Sequence, residues 1–227
     1  MEQKLTILFD LDGTLVDTAP DLVLAHNHVM KKFGYPSKSP EEVKALVGMG
    51  AKTMMSKTLW TTAKNELKKV KEKNIKAKMV KEFIKFYGNN ILVKSKLVSG
   101  TENFLEWCKT NKISMGVCTN KQEHLAIDLL KKIGINDYFE YVAGSNTFDY
   151  CKPDGRHLTS VIEIMNGDVK KTIMIGDSEV DAQAAQNASL PFILLEDGYT
   201  NVKVSQMNYD HLIKDFKGLE NIVKNYL

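Results

Sequence analysis

A chain of 227 residues, 43% hydrophobic and 26% charged, is long enough to bury a core without disulfide or metal staples and too apolar to be disordered. Its 31 Lys and Arg against 28 Asp and Glu leave a net charge of +3, too even for a binder of nucleic acid or other polyanions. Arg156 is the single arginine, so bidentate arginine clamps are not the theme of the molecule.

In chain order, Leu5–Phe9 is the first short apolar run and reads as a buried strand. It is cut off by Asp10 and Asp12 and lacks the layout of a signal peptide. No apolar stretch approaches the ~18 residues of a membrane span, so a soluble cytoplasmic protein without a membrane partner is expected. Residues 20–92 then read as several helices with no strand. Asp17 and Thr18 are candidate N-caps, Pro20 suits a first helical turn, and Gly34 and Pro36 end that helix. Pro40-Glu41-Glu42 opens another helix, which Gly48-Met49-Gly50 interrupts. The run 64–87 is lysine-rich and reads as a solvated helix face, with a basic rim for an anionic substrate as the lesser alternative.

Beyond it, strand-like runs (113–118, 141–143, 172–175, 192–195) alternate with helical patterns (102–111, 122–133, 156–166, 179–188). That alternation, with nearly continuous apolar strands, is the signature of a parallel sheet covered on both faces. Cys108, Cys118 and Cys151 are widely spaced and form no C-x-x-C, so neither a disulfide framework nor a zinc site is indicated; Cys118 reads as a small buried hydrophobe. The expected architecture is α/β: a Rossmann-like parallel sheet core covered by helices (1–16 and 96–227) with an inserted all-helical cap (17–95).

Chemistry concentrates after the strands. Asp10 and Asp12 stand two apart behind the first one, in F-D-L-D-G-T-L-V-D. Two carboxylates that close repel unless a cation compensates, and Mg²⁺ favours carboxylate and water oxygens. Gly13 permits the sharp turn that aims both side chains at one spot, although for a lone D-x-D-G ordinary turn chemistry is the better reading. Thr119, Asn120 and Lys121 follow the second strand, and Gly176, Asp177, Ser178, Glu179, Val180 and Asp181 the fourth. Cys151, Lys152 and Pro153 precede a helix. In an open α/β sheet the carboxyl ends of the strands form one crevice. Asp10, Asp12, Thr119, Lys152, Asp177 and Asp181 are therefore expected around a common pocket.

D-L-D-G-T-L-V-D, V-C-T-N-K, C-K-P and I-G-D-S-E-V-D resemble, in order, the four motifs of the haloacid dehalogenase superfamily. The helical insertion resembles the cap of its C1 group. Asp17–Leu22, Val47–Ala51 and Asp197–Thr200 resemble the phosphoglycolate phosphatase branch. The resemblance implies Asp10 as nucleophile, forming an aspartyl-phosphate, and Asp12 as general acid/base. It implies Mg²⁺ held by Asp10, the Asp12 backbone carbonyl and Asp177, with Asp181 supporting the metal through its waters. Thr119 and the Asn120 backbone would bind phosphoryl oxygen, Lys152 would neutralise charge there, and Gly48 and Gly50 of the cap loop would face the substrate.

The implied activity is a Mg²⁺-dependent phosphatase for a small phosphate monoester, foremost 2-phosphoglycolate, acting as a monomer or homodimer. A phosphomutase, a phosphatase for pyrophosphate, nucleotide or sugar phosphate, and a non-catalytic binding protein are the competing readings. The aspartate at position 12 disfavours carbon–halogen cleavage. Pro is replaced by Gln122 after Lys121, the third motif lacks a second proline, and Met49 stands where the branch often carries a polar residue. Arg156 reads as a surface or helix-start residue.

Overall fold

The computed structural model describes residues 4–62, 69–200 and 202–227. Strands β1 (Thr6–Phe9), β4 (Ser114–Cys118), β5 (Tyr141–Ala143), β6 (Thr172–Gly176), β7 (Phe192–Leu195) and β8 (His211–Ile213) form one parallel sheet in the order β5-β4-β1-β6-β7-β8. Strands β1 and β6 are buried along their whole length, which explains why both read as unbroken apolar runs. Strand β8 has no such run. It is a three-residue edge strand with Leu212 exposed, and it was not anticipated.

Successive β1 side chains divide between two apolar layers. Ile7 and Phe9 join the layer packed by α5 (Thr101–Thr110), α6 (Glu123–Ile133) and α9 (Leu219–Val223). Leu8 joins the layer packed by α7 (Arg156–Ile164) and α8 (Glu179–Ala188). The Phe9 ring meets Phe104, Phe139 and Phe216 at 5.9–6.3 Å. This places the strand that carries Asp10 at the middle of both layers, where its end has the least freedom to move.

Between β1 and β4 the chain makes a two-residue antiparallel pair, β2 (Val16–Asp17) with β3 (Lys96–Leu97). Among the described residues, four helices lie between these strands: α1 (Ala19–Lys32), α2 (Pro40–Lys44), α3 (Ala51–Thr62) and α4 (Lys69–Asn89). Met79, Phe83 and Tyr87 form a buried stripe on α4 at i, i+4, i+8, whereas Lys78, Lys81 and Lys85 are exposed, as a solvated basic face requires. Residues 64–68 of the lysine-rich run lie outside the described residues. Among the described residues no helix is long and apolar enough to cross a membrane.

Asp17 and Thr18 depart from their expected capping roles. Asp17 is in β2 and accepts a hydrogen bond from the Tyr199 hydroxyl at 2.6 Å. Thr18 stands at the N-cap of α1, yet its hydroxyl donates to Asp12 Oδ1 at 2.7 Å and makes no capping bond. The stronger, charged acceptor wins the hydroxyl.

The end of the helical insertion is tied to its beginning by Asp21. This buried carboxylate accepts from the amides of Val93, Lys94 and Ser95 at 2.9–3.0 Å and from the Ser95 hydroxyl at 2.6 Å. Burial pushes its pKa up, but those hydrogen bonds outweigh burial and hold it below the ordinary 3.8. Asp21→Ala strands the donors and is expected to lower stability by roughly 2–4 kcal/mol, read by denaturant unfolding. A depressed folded-state pKa stabilises at high pH. The gap between wild type and variant is therefore complete above the ordinary value of 3.8 and closes as the pH falls through the lowered one. An equal gap at pH 7 and pH 2 would contradict this account.

Candidate active site

Three adjacent strands deliver two acidic groups and a hydroxyl. Asp10 follows β1 directly, Thr119 follows β4, and Asp177 follows β6, so the parallel register brings all three to one end of the sheet. Gly13, at φ +91°, turns the chain after Asp12; a Cβ there would collide with the Asp177 carboxylate. Asp10, Asp177 and Asp181 offer carboxylate oxygens within 4.8 Å of one another, all buried.

Lys152 stands among them. Its Nζ contacts Asp10 Oδ1 at 2.8 Å and Asp181 Oδ1 at 2.6 Å, and its side chain is 1% exposed. The other Asp181 oxygen accepts from the Ser178 amide and hydroxyl at 3.1 and 2.6 Å, completing a capping box at the start of α8. Both oxygens of Asp181 are thus already engaged. Asp177 is held by the Thr14 hydroxyl at 2.7 Å and the Tyr199 amide at 2.6 Å. Tyr199 also spans to the insertion, because its hydroxyl donates to Asp17 and accepts from the Ala19 amide at 2.9 Å.

Asp12 has a different counterion. Lys121 Nζ contacts its two carboxylate oxygens at 2.6 and 2.8 Å, with both residues buried. Lys121 was read only as part of the Thr119-Asn120-Lys121 run, and its pairing with Asp12 is a residue role that sequence reasoning missed. The Tyr87 ring of α4 covers the same ammonium at 4.5 Å. Thr119 is buried, and its hydroxyl accepts from the Lys121 amide at 3.2 Å. Asn120 Nδ2 donates to the carbonyls of Gly48 and Lys152, both at 3.0 Å, and so fastens the loop before α3 to the sheet. Gly50 packs on the same place, where a Cβ would stand 3.1 Å from the Asn120 carbonyl.

The electrostatics are those of a site short of positive charge. Asp10, Asp12, Asp177 and Asp181 face Lys121 and Lys152, and every one of the six is at most 8% exposed. Fully ionised, four carboxylates against two ammonium groups leave two negative charges, which is the charge of one divalent cation. Burial pushes Asp10 up to about 7 although Lys152 opposes it, and burial followed by the nearby Asp181 raises Asp177. Burial favours the neutral amine of each lysine, but the facing aspartates outweigh it and keep both protonated. Three converging hard oxygen donors with an excess of negative charge fit a hard divalent cation.

A cavity of about 430 Å³ opens beside this cluster; Asp10, Asp12 and Lys121 line it, whereas Lys152, Asp177 and Asp181, expected around the same pocket, lie behind its lining. Asp10, Asp12, Thr119, Asn120 and Lys121 line its sheet side, and Val47–Met54, Phe83 and Tyr87 its helical side. The volume suits a small metabolite. Arg156 lies apart from it, exposed at the start of α7 and paired with Asp154 at 2.6 Å.

The sequence profile of the haloacid dehalogenase-like hydrolases matches residues 7–195. The phosphoglycolate phosphatase of Agrobacterium fabrum is 39% identical over 212 residues, covering 93% of this chain and 89% of that protein. That of Nitrosococcus oceani is 30% identical over 98% of each chain. The crystal structure of a predicted phosphoglycolate phosphatase from Haemophilus somnus superposes with a TM-score of 0.88 at 26% identity, covering 98% of this chain and 99% of that one.

Replacing Lys152 leaves two buried carboxylates without their shared cation. Lys152→Met is expected to lose roughly 3–5 kcal/mol of stability, measured by denaturant unfolding in metal-free buffer. Wild-type stability in that variant would show that the ion pair does not hold the site together.

Proposed function

The chain belongs to the haloacid dehalogenase-like hydrolases and is a phosphoric monoester hydrolase of the phosphoglycolate phosphatase type; from that premise we propose that it hydrolyses 2-phosphoglycolate, with Mg²⁺ as cofactor, through an aspartyl-phosphate. The observation that carries the reading is the pairing of two buried aspartates with two different lysines at the end of one strand. One aspartate is set among further carboxylates, while the other is set apart on the side of the insertion.

In this reading Asp10 attacks phosphorus. An Oδ–P bond forms as the P–O ester bond breaks, and Asp12 gives its proton to the departing alkoxide. Asp12 then takes a proton from water, which attacks the phosphoryl group and releases Asp10 and phosphate. Lys152 neutralises Asp10 and the transferring group, and the Thr119 hydroxyl and Asn120 amide donate to phosphoryl oxygens. Asp10, the Asp12 backbone carbonyl and Asp177 would hold Mg²⁺, with Asp181 orienting its waters. When bound, the ion offsets repulsion between carboxylate and phosphate and polarises the phosphoryl oxygens. Asp181 suits a supporting place, because both its oxygens are already engaged by Lys152 and Ser178.

Residues 17–95 act as a cap over this chemistry. Its Gly48 and Gly50 loop meets Asn120, and closure there excludes water from the phosphoenzyme. A small phosphorylated metabolite is the partner the cavity volume favours.

A phosphate-release screen over small phosphorylated metabolites, compared by kcat/KM, is expected to place 2-phosphoglycolate first. A sugar phosphate, nucleotide or pyrophosphate ahead of it by tenfold or more would overturn the substrate assignment. EDTA is expected to abolish turnover and Mg²⁺ to restore it, whereas full activity after rigorous metal removal would sink the cofactor assignment. Asp177→Asn is expected to raise the Mg²⁺ concentration needed for half-activity more than Asp181→Asn does.

A further inference from the structure

The Tyr87 hydroxyl is a buried polar group without a purpose in the steps above. Tyr87 is 1% exposed, lies on α4, lines the cavity, and has no acceptor for its hydroxyl proton among the described residues. Leaving such a group dry is unfavourable, and a phenylalanine would fill the stripe with Met79 and Phe83 equally well. A hydroxyl retained there is explained by an acceptor that arrives with a ligand.

Lys121 supplies the charge beside it. An ammonium carries three N–H donors: two reach Asp12, and the Tyr87 side chain lies against the same ammonium, with its ring at 4.5 Å. The first turn of α3, at Ala51, Lys52 and Thr53, lines the same cavity, and a helix N-terminus favours an anion. The lysine, the tyrosine and the helix end thus come from the sheet and from two helices of the insertion, yet they border one space.

We propose that Lys121 and Tyr87 form a subsite for a second anionic group of the substrate, a carboxylate on the carbon next to the ester oxygen. The inference rests on the phosphatase reading and narrows it. If Asp12 hands its proton to the ester oxygen, that oxygen lies against the Asp12 carboxylate. Lys121 touches the same carboxylate, so its ammonium sits one small group beyond the ester oxygen. A carboxylate attached through a single carbon falls there. A neutral alcohol gives Lys121 nothing to pair with, and a bulky sugar meets Tyr87 and Phe83. Lys121 and Tyr87 are therefore specificity residues, and their loss penalises acidic substrates above neutral ones.

The test compares 2-phosphoglycolate with 2-hydroxyethyl phosphate, which has an alcohol in place of the carboxylate. Phosphate release is measured as kcat/KM for wild type, Tyr87→Phe and Lys121→Met in saturating Mg²⁺. The wild-type ratio is expected to favour 2-phosphoglycolate. Tyr87→Phe is expected to cut the ratio about tenfold, the weight of one hydrogen bond to a charged group, and Lys121→Met to cut it further. The thermal midpoint of Tyr87→Phe without ligand is expected to be unchanged or higher, because an orphan hydroxyl is removed. This conservative variant keeps the test decisive if Lys121→Met does not fold. A wild-type ratio retained in Tyr87→Phe, and in Lys121→Met where that variant folds, would overturn the subsite and leave the phosphatase reading standing. Equal rates on the two compounds in wild type would overturn the subsite and the choice of 2-phosphoglycolate together. Release from neither compound would overturn the subsite and its underlying reading.

Discussion

Four carboxylates buried at one end of a sheet, with two ammonium groups to share, set the terms for the rest of this molecule. Each charge taken from water is costly unless paired. The chain meets that cost with Lys152 between Asp10 and Asp181, with Lys121 on Asp12, and with hydrogen bonds from Thr14, Tyr199 and Ser178. The remaining deficit is two charges of positive sign. The same deficit makes the site receptive to a divalent cation, and burial together with the neighbouring carboxylates pushes the pKa values of Asp10 and Asp177 up.

The constraint reaches outward through the groups that satisfy it. Tyr199 holds Asp177 with its amide and the start of the insertion with its hydroxyl. Asn120 joins the Lys152 loop to the Gly48 loop. Thr18, just past β2, gives its hydroxyl to Asp12 and not to its own helix. The segments connecting sheet and insertion therefore carry bonds to the site itself. Asp12 and Asp177 are thus bonded to the segments that any movement of the helices over the cavity would displace. This is the physical basis on which closure and chemistry are coupled in the proposed reaction.

Most of the sheet was legible in the sequence because its strands are buried on both faces and read as short apolar runs; Tyr141–Ala143 and Phe192–Leu195 are found at the residues expected. What escaped was an element too short and too exposed to carry a pattern, the edge strand β8. The convergence of Asp10, Asp12, Thr119, Lys152, Asp177 and Asp181 was legible because residues that follow parallel strands share one end of the sheet. Lys121 was visible in that loop, but its partner was not, since a lysine after a strand is ordinarily a surface residue. Tyr87 carried no signal at all. It occupies an apolar stripe where the sequence gives no reason to distinguish a tyrosine from core. Only the packing of α4 over Lys121 reveals its hydroxyl as an unanswered donor.

The division of labour between the two aspartates is the central claim, and mass spectrometry of the intact protein reaches it directly. Asp10→Asn and Asp12→Asn are each mixed with p-nitrophenyl phosphate and Mg²⁺ and quenched rapidly. A good leaving group needs little protonation, so Asp12→Asn is expected to accept the phosphoryl group and then stall for want of a base, gaining about 80 Da. Asp10→Asn lacks the nucleophile and is expected to gain nothing. An adduct that survives Asp10→Asn and disappears in Asp12→Asn would contradict the account and make Asp12 the nucleophile.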